Sequence, residues 1–119
     1  MRLYALVRSD LGMSPGKMVA QAGHAYVQTI LACLREKPDL ETSYHADGLG
    51  TKVALAVPDL DSLLWVQAQA AAAGIPHSLI TDFGHERFHD GKPVVTALGL
   101  GPCTREECRR FTKRFQVIP

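Results

Sequence analysis

Short apolar segments alternate along this chain with longer segments in which apolar residues recur at helical spacing, and this alternation indicates an α/β sandwich. The apolar segments predict four strands, at residues 2–7, 52–57, 77–81 and 93–100. Helices are predicted between and after them, at residues 16–36, 39–44 and 59–73 and following Thr104. With 119 residues and neither an internal repeat nor a linker, the chain is expected to form one domain over residues 1–119.

The composition and charge narrow the class of protein. The formal net charge of +1 argues against a broad, non-specific binder of nucleic acid, although a local basic patch would be compatible with it. No apolar run is long enough to span a bilayer, and the first residues read as a strand, so we expect a cytoplasmic protein with no membrane partner. Cys33, Cys103 and Cys108 lack CxxC spacing and are predicted to be reduced thiols without a metal.

The loop after the first strand leads into a helix with a polar face. Lys17, Gln21 and His24 are spaced four and three residues apart, which places them on one face of that helix. A lysine beside a helix N-terminus suits an anion such as a phosphate. The alternative is that Lys17 is merely solvated and that His24 is a hydrogen-bonded core histidine.

Two further polar residues are associated with the later strands. Asp82 follows the third strand, which we expect to be buried, and a carboxylate at a strand end can orient or deprotonate a water molecule. The alternative is a turn aspartate of the common kind that precedes a glycine. Thr96 lies within the apolar fourth strand, so its hydroxyl must find a partner, which could be Asp82, a neighbouring backbone group or water.

Three ordered motifs resemble those of the second type of peptidyl-tRNA hydrolase. The pattern DLxMxxGKxAAQxxHA is matched by a first set of residues, namely Asp10, Leu11, Met13, Gly16, Lys17, Ala20, Gln21, His24 and Ala25. The patterns IxDAGxT and TxLGIGP are matched by a second set, namely Ile80, Asp82, Gly84, Thr96, Leu98, Gly99, Gly101 and Pro102. Since the motifs occur in order over nearly the whole chain, together they are more specific than any one of them.

The resemblance implies a fold and an activity. It implies a four-stranded mixed sheet with helices on both faces, usually in a homodimer. It also implies cofactor-free hydrolysis of the ester that joins a peptide to the terminal ribose of tRNA. The implied catalytic residues are Lys17, Asp82 and Thr96. Lys17 would bind a tRNA phosphate or stabilise the developing oxyanion, Asp82 would position or activate the water, and Thr96 would form a hydrogen bond in the same pocket. The residues implied to bind the substrate are Gln21, His24, Gly16, Gly84 and Glu86.

Three positions depart from the family pattern and keep other functions open. Glu86 stands where the family has threonine, Phe83 replaces an alanine and Ala22 replaces a cysteine. Glu86 could serve as a substitute base or reduce activity. The first rival is therefore a diverged tRNA-binding or protein-interaction module of the same fold. The second rival is a small metal-dependent hydrolase, whose ligands would be His77, His85 and His89.

Overall fold

The computed structural model describes residues 1–84 and 89–119, and in this part of the chain helices cover both faces of a five-stranded mixed sheet. The strands are β1 (Arg2–Arg8), β2 (Thr51–Val57), β3 (His77–Asp82), β4 (Val94–Cys103) and β5 (Gln116–Val117). The helices are α1 (Pro15–Glu36), α2 (Pro38–Tyr44), α3 (Leu60–Ala73) and α4 (Arg105–Thr112). A short 3-10 turn covers His89–Gly91.

The strand order of the sheet is β3-β4-β1-β2-β5. β1 and β2 pair in parallel, whereas β4 is antiparallel to both β1 and β3. As a result β1, β2 and β3 all run in the same direction, and their carboxyl ends lie at the same end of the sheet. The loop that precedes α1 and the turn that follows β3 therefore meet there.

Two hydrophobic clusters lie on opposite faces of the sheet. The larger cluster packs α3 and α4 against the sheet and contains Leu63, Val66 and Phe111. The smaller one lies beneath α1 and contains Ala25 together with Val7, Ile80 and Ala97. α1 therefore crosses β1, β4 and β3, which brings its first two turns close to the end of β3.

Capping residues set the ends of the helices where the sequence predicts them. The Asp59 side chain accepts a 2.7 Å hydrogen bond from the Ser62 backbone N–H and starts α3, which ends at Gly74 in the left-handed conformation. Thr104 and Glu107 form a reciprocal capping box at α4. The predicted helix and strand positions are confirmed to within about two residues, except in β4.

The structure corrects the expected number of strands and the end of β4. β5 is a fifth strand, antiparallel to β2, and is not among the four strands that the sequence predicts. Val117 belongs to that strand and is 63% exposed, so it does not join the core. β4 also continues beyond its predicted end at residue 100, through Gly101 and Pro102, and ends at Cys103.

The prediction of three reduced cysteines is wrong for two of them. Cys103 at the end of β4 and Cys108 in α4 form a disulfide, with Cα atoms 6.6 Å apart. The turn capped by Thr104 brings the two residues together, and spacing alone did not reveal this. Cys33 remains a buried thiol. Burial is the largest cause of the raised pKa of its thiol.

None of the described helices combines the length and the apolar character that crossing a membrane requires.

Candidate functional site

The first turn of α1 places a lysine at the end of the sheet. The Ser14 side chain accepts a 3.2 Å hydrogen bond from the Lys17 backbone N–H, and Pro15 supplies the first helical residue. Lys17, Gln21 and His24 then line the same side of α1, as their spacing predicts. His24 is exposed, so the alternative of a core histidine is excluded.

Asp82 ends β3 opposite this face of α1. Its Oδ1 accepts a 2.8 Å hydrogen bond from the backbone N–H of Gly84, which has a φ of +78°. Its Oδ2 forms an ion pair with Lys17 Nζ, and the two side chains are only 15% and 21% exposed. Asp82 is thus both a turn aspartate and one member of a partly buried charge pair.

β3 lies at the edge of the sheet, and Ile80 is the only residue of this strand that is buried. The expectation of a buried third strand is therefore wrong. Asp82 is two residues from Ile80 and faces α1 with it, because side chains two apart in a strand share a face.

Gln21 connects Thr96 to the charge pair. Thr96 Oγ1 donates a 2.5 Å hydrogen bond to Gln21 Oε1, and Gln21 Nε2 donates a 3.3 Å hydrogen bond to Asp82 Oδ2. Thr96 is fully buried and Gln21 is 3% exposed. The hydroxyl of Thr96 thus donates to a glutamine side chain, a partner that the sequence analysis did not consider.

A β-bulge in β4 directs the Thr96 hydroxyl toward α1. Ala97 pairs with Ile80 and Val95 pairs with Thr81, so Thr96 is an extra residue opposite β3. Ala97 packs beneath α1, whereas Val95 packs on the opposite face. Without the bulge, Thr96 would point away from α1; with it, Thr96 and Ala97 both face the helix.

Arg8 holds the loop before α1 against the start of β4. Its guanidinium donates a 2.9 Å hydrogen bond to the Val95 carbonyl and two hydrogen bonds, of 3.0 and 2.8 Å, to the Asp10 carboxylate. The hydrogen bond from Arg8 is the main cause of the lowered pKa of Asp10. Sequence reasoning missed Arg8 because it ends an apolar strand and carries no motif signal of its own.

The side chains of Lys17, Gln21 and Asp82 open onto a groove of about 760 Å³ between α1 and β3. The groove is lined by Lys17, Ala20, Gln21, His24, Gln28, Leu79, Ile80, Thr81, Asp82 and Phe83. Phe83 is 76% exposed beside Asp82. Gln28 was missed, although it continues the polar face one turn beyond His24.

Besides Thr96, which is buried and bonded to Gln21, three of the expected site residues lie outside the lining of this groove or outside the described chain. Gly16 is exposed in the first turn of α1, one residue before Lys17. Gly84 lies in the turn after β3, where its backbone N–H donates the hydrogen bond to the Asp82 carboxylate. Glu86, the residue that departs most from the family pattern, falls in residues 85–88, outside the part of the chain that the structure describes.

The metal-dependent alternative receives no support from the described residues. Among them, no group of three histidine, cysteine, aspartate or glutamate side chains could hold a metal ion. His77 Nδ1 is 2.9 Å from the Ile75 carbonyl oxygen. His85 and the side chain of His89 lie outside the described residues.

The fold and the groove together define a class, an α/β protein with a lysine–carboxylate pair at the carboxyl ends of its strands. Such a pair can place a cation beside a developing oxyanion and a carboxylate beside a water molecule. Comparison with known proteins narrows the class. The family model Peptidyl-tRNA hydrolase PTH2 matches residues 1–118.

Archaeal relatives match over almost their entire length. The peptidyl-tRNA hydrolase of Methanocaldococcus jannaschii is 32% identical over 118 residues, covering 99% of this chain and 100% of the relative. That of Methanothermobacter thermautotrophicus is 35% identical with the same coverage of both chains. That of Thermoplasma acidophilum is 27% identical, covering 98% and 97%.

A solved structure supports the fold. A protein of unknown function from Agrobacterium tumefaciens strain C58 superposes with a TM-score of 0.58 at 15% identity, covering 99% of this chain and 97% of that one. The chain belongs to the PTH2 family of peptidyl-tRNA hydrolases.

Proposed function

We propose that this chain hydrolyses the ester bond of peptidyl-tRNA and releases the peptide and the tRNA, with residues 1–119 acting as one catalytic domain. Membership of the family supports the reaction. The single observation that supports the location is the partly buried Lys17–Asp82 pair in the groove. Water is the only co-reactant that the hydrolysis of an ester consumes, so the reaction as proposed invokes no cofactor.

The proposed roles follow from exposure and hydrogen bonding. Asp82 accepts a proton from the attacking water, and Lys17 stabilises the negative charge on the ester carbonyl oxygen or binds a tRNA phosphate. Both side chains border the groove. Thr96 is fully buried and reaches it only through Gln21. We therefore assign Thr96 a positioning role and not contact with the substrate.

The test of this proposal is the release of the acyl group from an N-blocked aminoacyl-tRNA. Asp82→Asn keeps the shape of the side chain and removes its charge, so turnover should fall by about a hundredfold or more. Substrate binding should change little, because Asp82 bears the wrong charge to hold phosphate. Full activity in Asp82→Asn would exclude Asp82 as the base.

Glu86 requires its own pair of variants. If Glu86 is the base, Glu86→Gln should be the damaging change and Asp82→Asn the mild one. If it is not, Glu86→Thr, which restores the family residue, should be neutral or should raise activity. A wild-type protein that binds tRNA but releases no acyl group would indicate the diverged binding module.

The proposed partners are tRNA and a second copy of the chain, and the proposed location is the cytoplasm, where translation supplies the substrate. Several large apolar side chains on α1 are exposed, which supports self-association; they are Val19, Val27, Leu31 and Leu34. Sedimentation equilibrium tests the homodimer, which should have twice the chain mass of 13.0 kDa.

A further inference from the structure

β3 has a backbone edge that pairs with no other described strand. It stands first in the sheet order, and in residues 1–84 and 89–119 no sixth strand lies beside it. Over the same residues, the backbone hydrogen bonds outside helices and strands include none from His77–Thr81. No described group therefore occupies the N–H and C=O groups of His77–Thr81 on that side, and an added strand can pair with them.

The groove runs along this edge. Five consecutive residues of the strand and its turn, 79–83, line it. Because successive side chains of a strand point to opposite faces, five in a row can line one groove only if the backbone edge forms its wall. On the other side, Ala20, His24 and Gln28 follow one another at four-residue intervals along α1.

Before its last residue, Asp82, the edge also lacks the features by which proteins usually block such pairing. Edge strands are commonly protected by lysine, proline or inward-pointing charge. The sequence of β3, His-Ser-Leu-Ile-Thr-Asp, contains no lysine or proline, and its one carboxylate is Asp82 at the end. This open edge therefore leads directly to the Lys17–Asp82 pair.

We propose that the peptide part of the substrate lies extended along the free edge of β3, parallel to it. The inference rests on the proposed function, which places the ester carbonyl at Asp82. The ester is formed by the carboxyl end of the peptide, and β3 runs toward Asp82. The peptide and β3 must therefore have the same direction if the peptide follows the groove.

Main-chain pairing suits this substrate chemically. Peptides released from tRNA have no common sequence, and strand addition takes its affinity from backbone groups that every peptide carries. At roughly 3.3 Å per residue, the groove wall formed by residues 79–83 is long enough for about four or five residues of peptide.

The experiment measures kcat/KM on tRNAs that carry N-acetylated peptides of one to seven residues. We expect kcat/KM to rise by about threefold to tenfold for each added main-chain hydrogen bond and to level off at four or five residues. N-methylation of the peptide amides two to four residues from the ester should remove this gain in kcat/KM with length. Exchanging the side chains of the same peptide residues should not remove it.

A pair of tryptophan variants tests the location. Gln28→Trp narrows the groove far from Asp82 and should reduce the gain with peptide length. Glu36→Trp, on the exposed last turn of α1 and outside the groove lining, is the control and should keep the gain.

Four outcomes of the kinetic comparisons would overturn the inference, and a fifth concerns protein concentration. They are hydrolysis that is independent of peptide length, a gain that survives N-methylation, a gain that follows the side chains, and equal effects of the two tryptophan variants. A gain that vanishes as protein concentration rises would assign the edge to a second copy and also overturn it. Failure of the proposed function is distinct, since then even the one-residue substrate would not be hydrolysed.

Discussion

At the scale of single residues, the orientation of one amide group organises the site. The Gln21 amide has an oxygen on one side and an NH₂ on the other, and only the NH₂ can donate to the Asp82 carboxylate. The carboxylate therefore selects the orientation in which the NH₂ faces Asp82, and the Thr96 hydroxyl donates to the amide oxygen on the other side. Thr96 itself is fully buried.

Thr96→Val should therefore lower kcat by about tenfold, which corresponds to ~1.4 kcal/mol, while KM stays nearly constant. The valine leaves the Gln21 oxygen without its buried donor, so the amide is no longer held in the position from which its NH₂ donates to Asp82. Thr96→Ser keeps the hydroxyl and should restore most of kcat. Kinetics on an N-blocked aminoacyl-tRNA provide the measurement, and a serine variant as poor as the valine variant would refute the positioning role.

The sequence predicted the α1 half of the site better than the β4 half. Helical spacing alone placed Lys17, Gln21 and His24 on one face, and the structure confirms it. Strict alternation from Ala97 would direct Thr96 to the other face of the sheet. The bulge reverses that direction, and a single extra residue in a strand leaves no signal in an apolar sequence such as Val-Val-Thr-Ala.

At the scale of elements, the distance between α1 and the sheet depends on one glycine in β4. A Cβ at Gly99 would collide with the Thr29 side chain and with the Ala25 carbonyl oxygen, both in α1. The absence of a side chain therefore lets the helix lie directly on the strand. The same close approach brings Gln21 within reach of Thr96.

Gly99→Ala should lower the free energy of unfolding by about 1–3 kcal/mol, the usual range for overpacking a core. Gly23→Ala is a matched control in α1, because a Cβ there meets no atom within 4 Å. That control should be stabilising, by about 0.5–1 kcal/mol, since alanine favours helix more than glycine does. Urea unfolding compares the two, and equal effects would contradict the proposed close packing.

The contact between α2 and β2 should make stability depend on pH. Tyr44 is buried, and its hydroxyl donates a 2.9 Å hydrogen bond to the Thr51 carbonyl. Burial, followed by the charge of Tyr26, raises the pKa of Tyr44 to about 12. A raised tyrosine pKa means that folding favours the neutral phenol, so its contribution is complete below the unfolded pKa of about 10.

Stability should consequently fall as the pH rises from about 10 toward about 12. Denaturant unfolding across this range, with phenolate absorbance recorded in parallel, measures it. Tyr44→Phe removes the titrating group and should reduce the slope. A slope unchanged in that variant would assign the pH dependence to other groups.

Element positions could be predicted where the chain gives a periodic or capping signal. Asp59, Gly74 and Thr104 set helix ends by local chemistry, so those ends were predictable. β5 was not, because its two residues are exposed and show no apolar alternation. They are held by backbone pairing to Leu55 and Ala56, which depends on where the chain returns.

At the scale of the whole molecule, a net charge of +1 provides little general attraction for tRNA. Binding should therefore depend on a few cations placed near the groove. Lys17→Ala should weaken tRNA binding and reduce the slope of log affinity against log salt by about one. Lys52→Ala, at the opposite end of the sheet from the groove, should leave that slope unchanged. Unchanged affinity and slope in Lys17→Ala would assign Lys17 to another role.

The two edges of the sheet differ in how they can pair with other strands. On one side β5 pairs with Leu55 and Ala56 of β2, while on the other side the edge of β3 is unoccupied by any described segment. Two molecules that each pair through a single edge form a closed pair, whereas molecules that pair through both edges can propagate into a ribbon. The two-residue strand Gln116–Val117 covers part of the β2 edge and so favours strand addition at β3 over strand addition at β2.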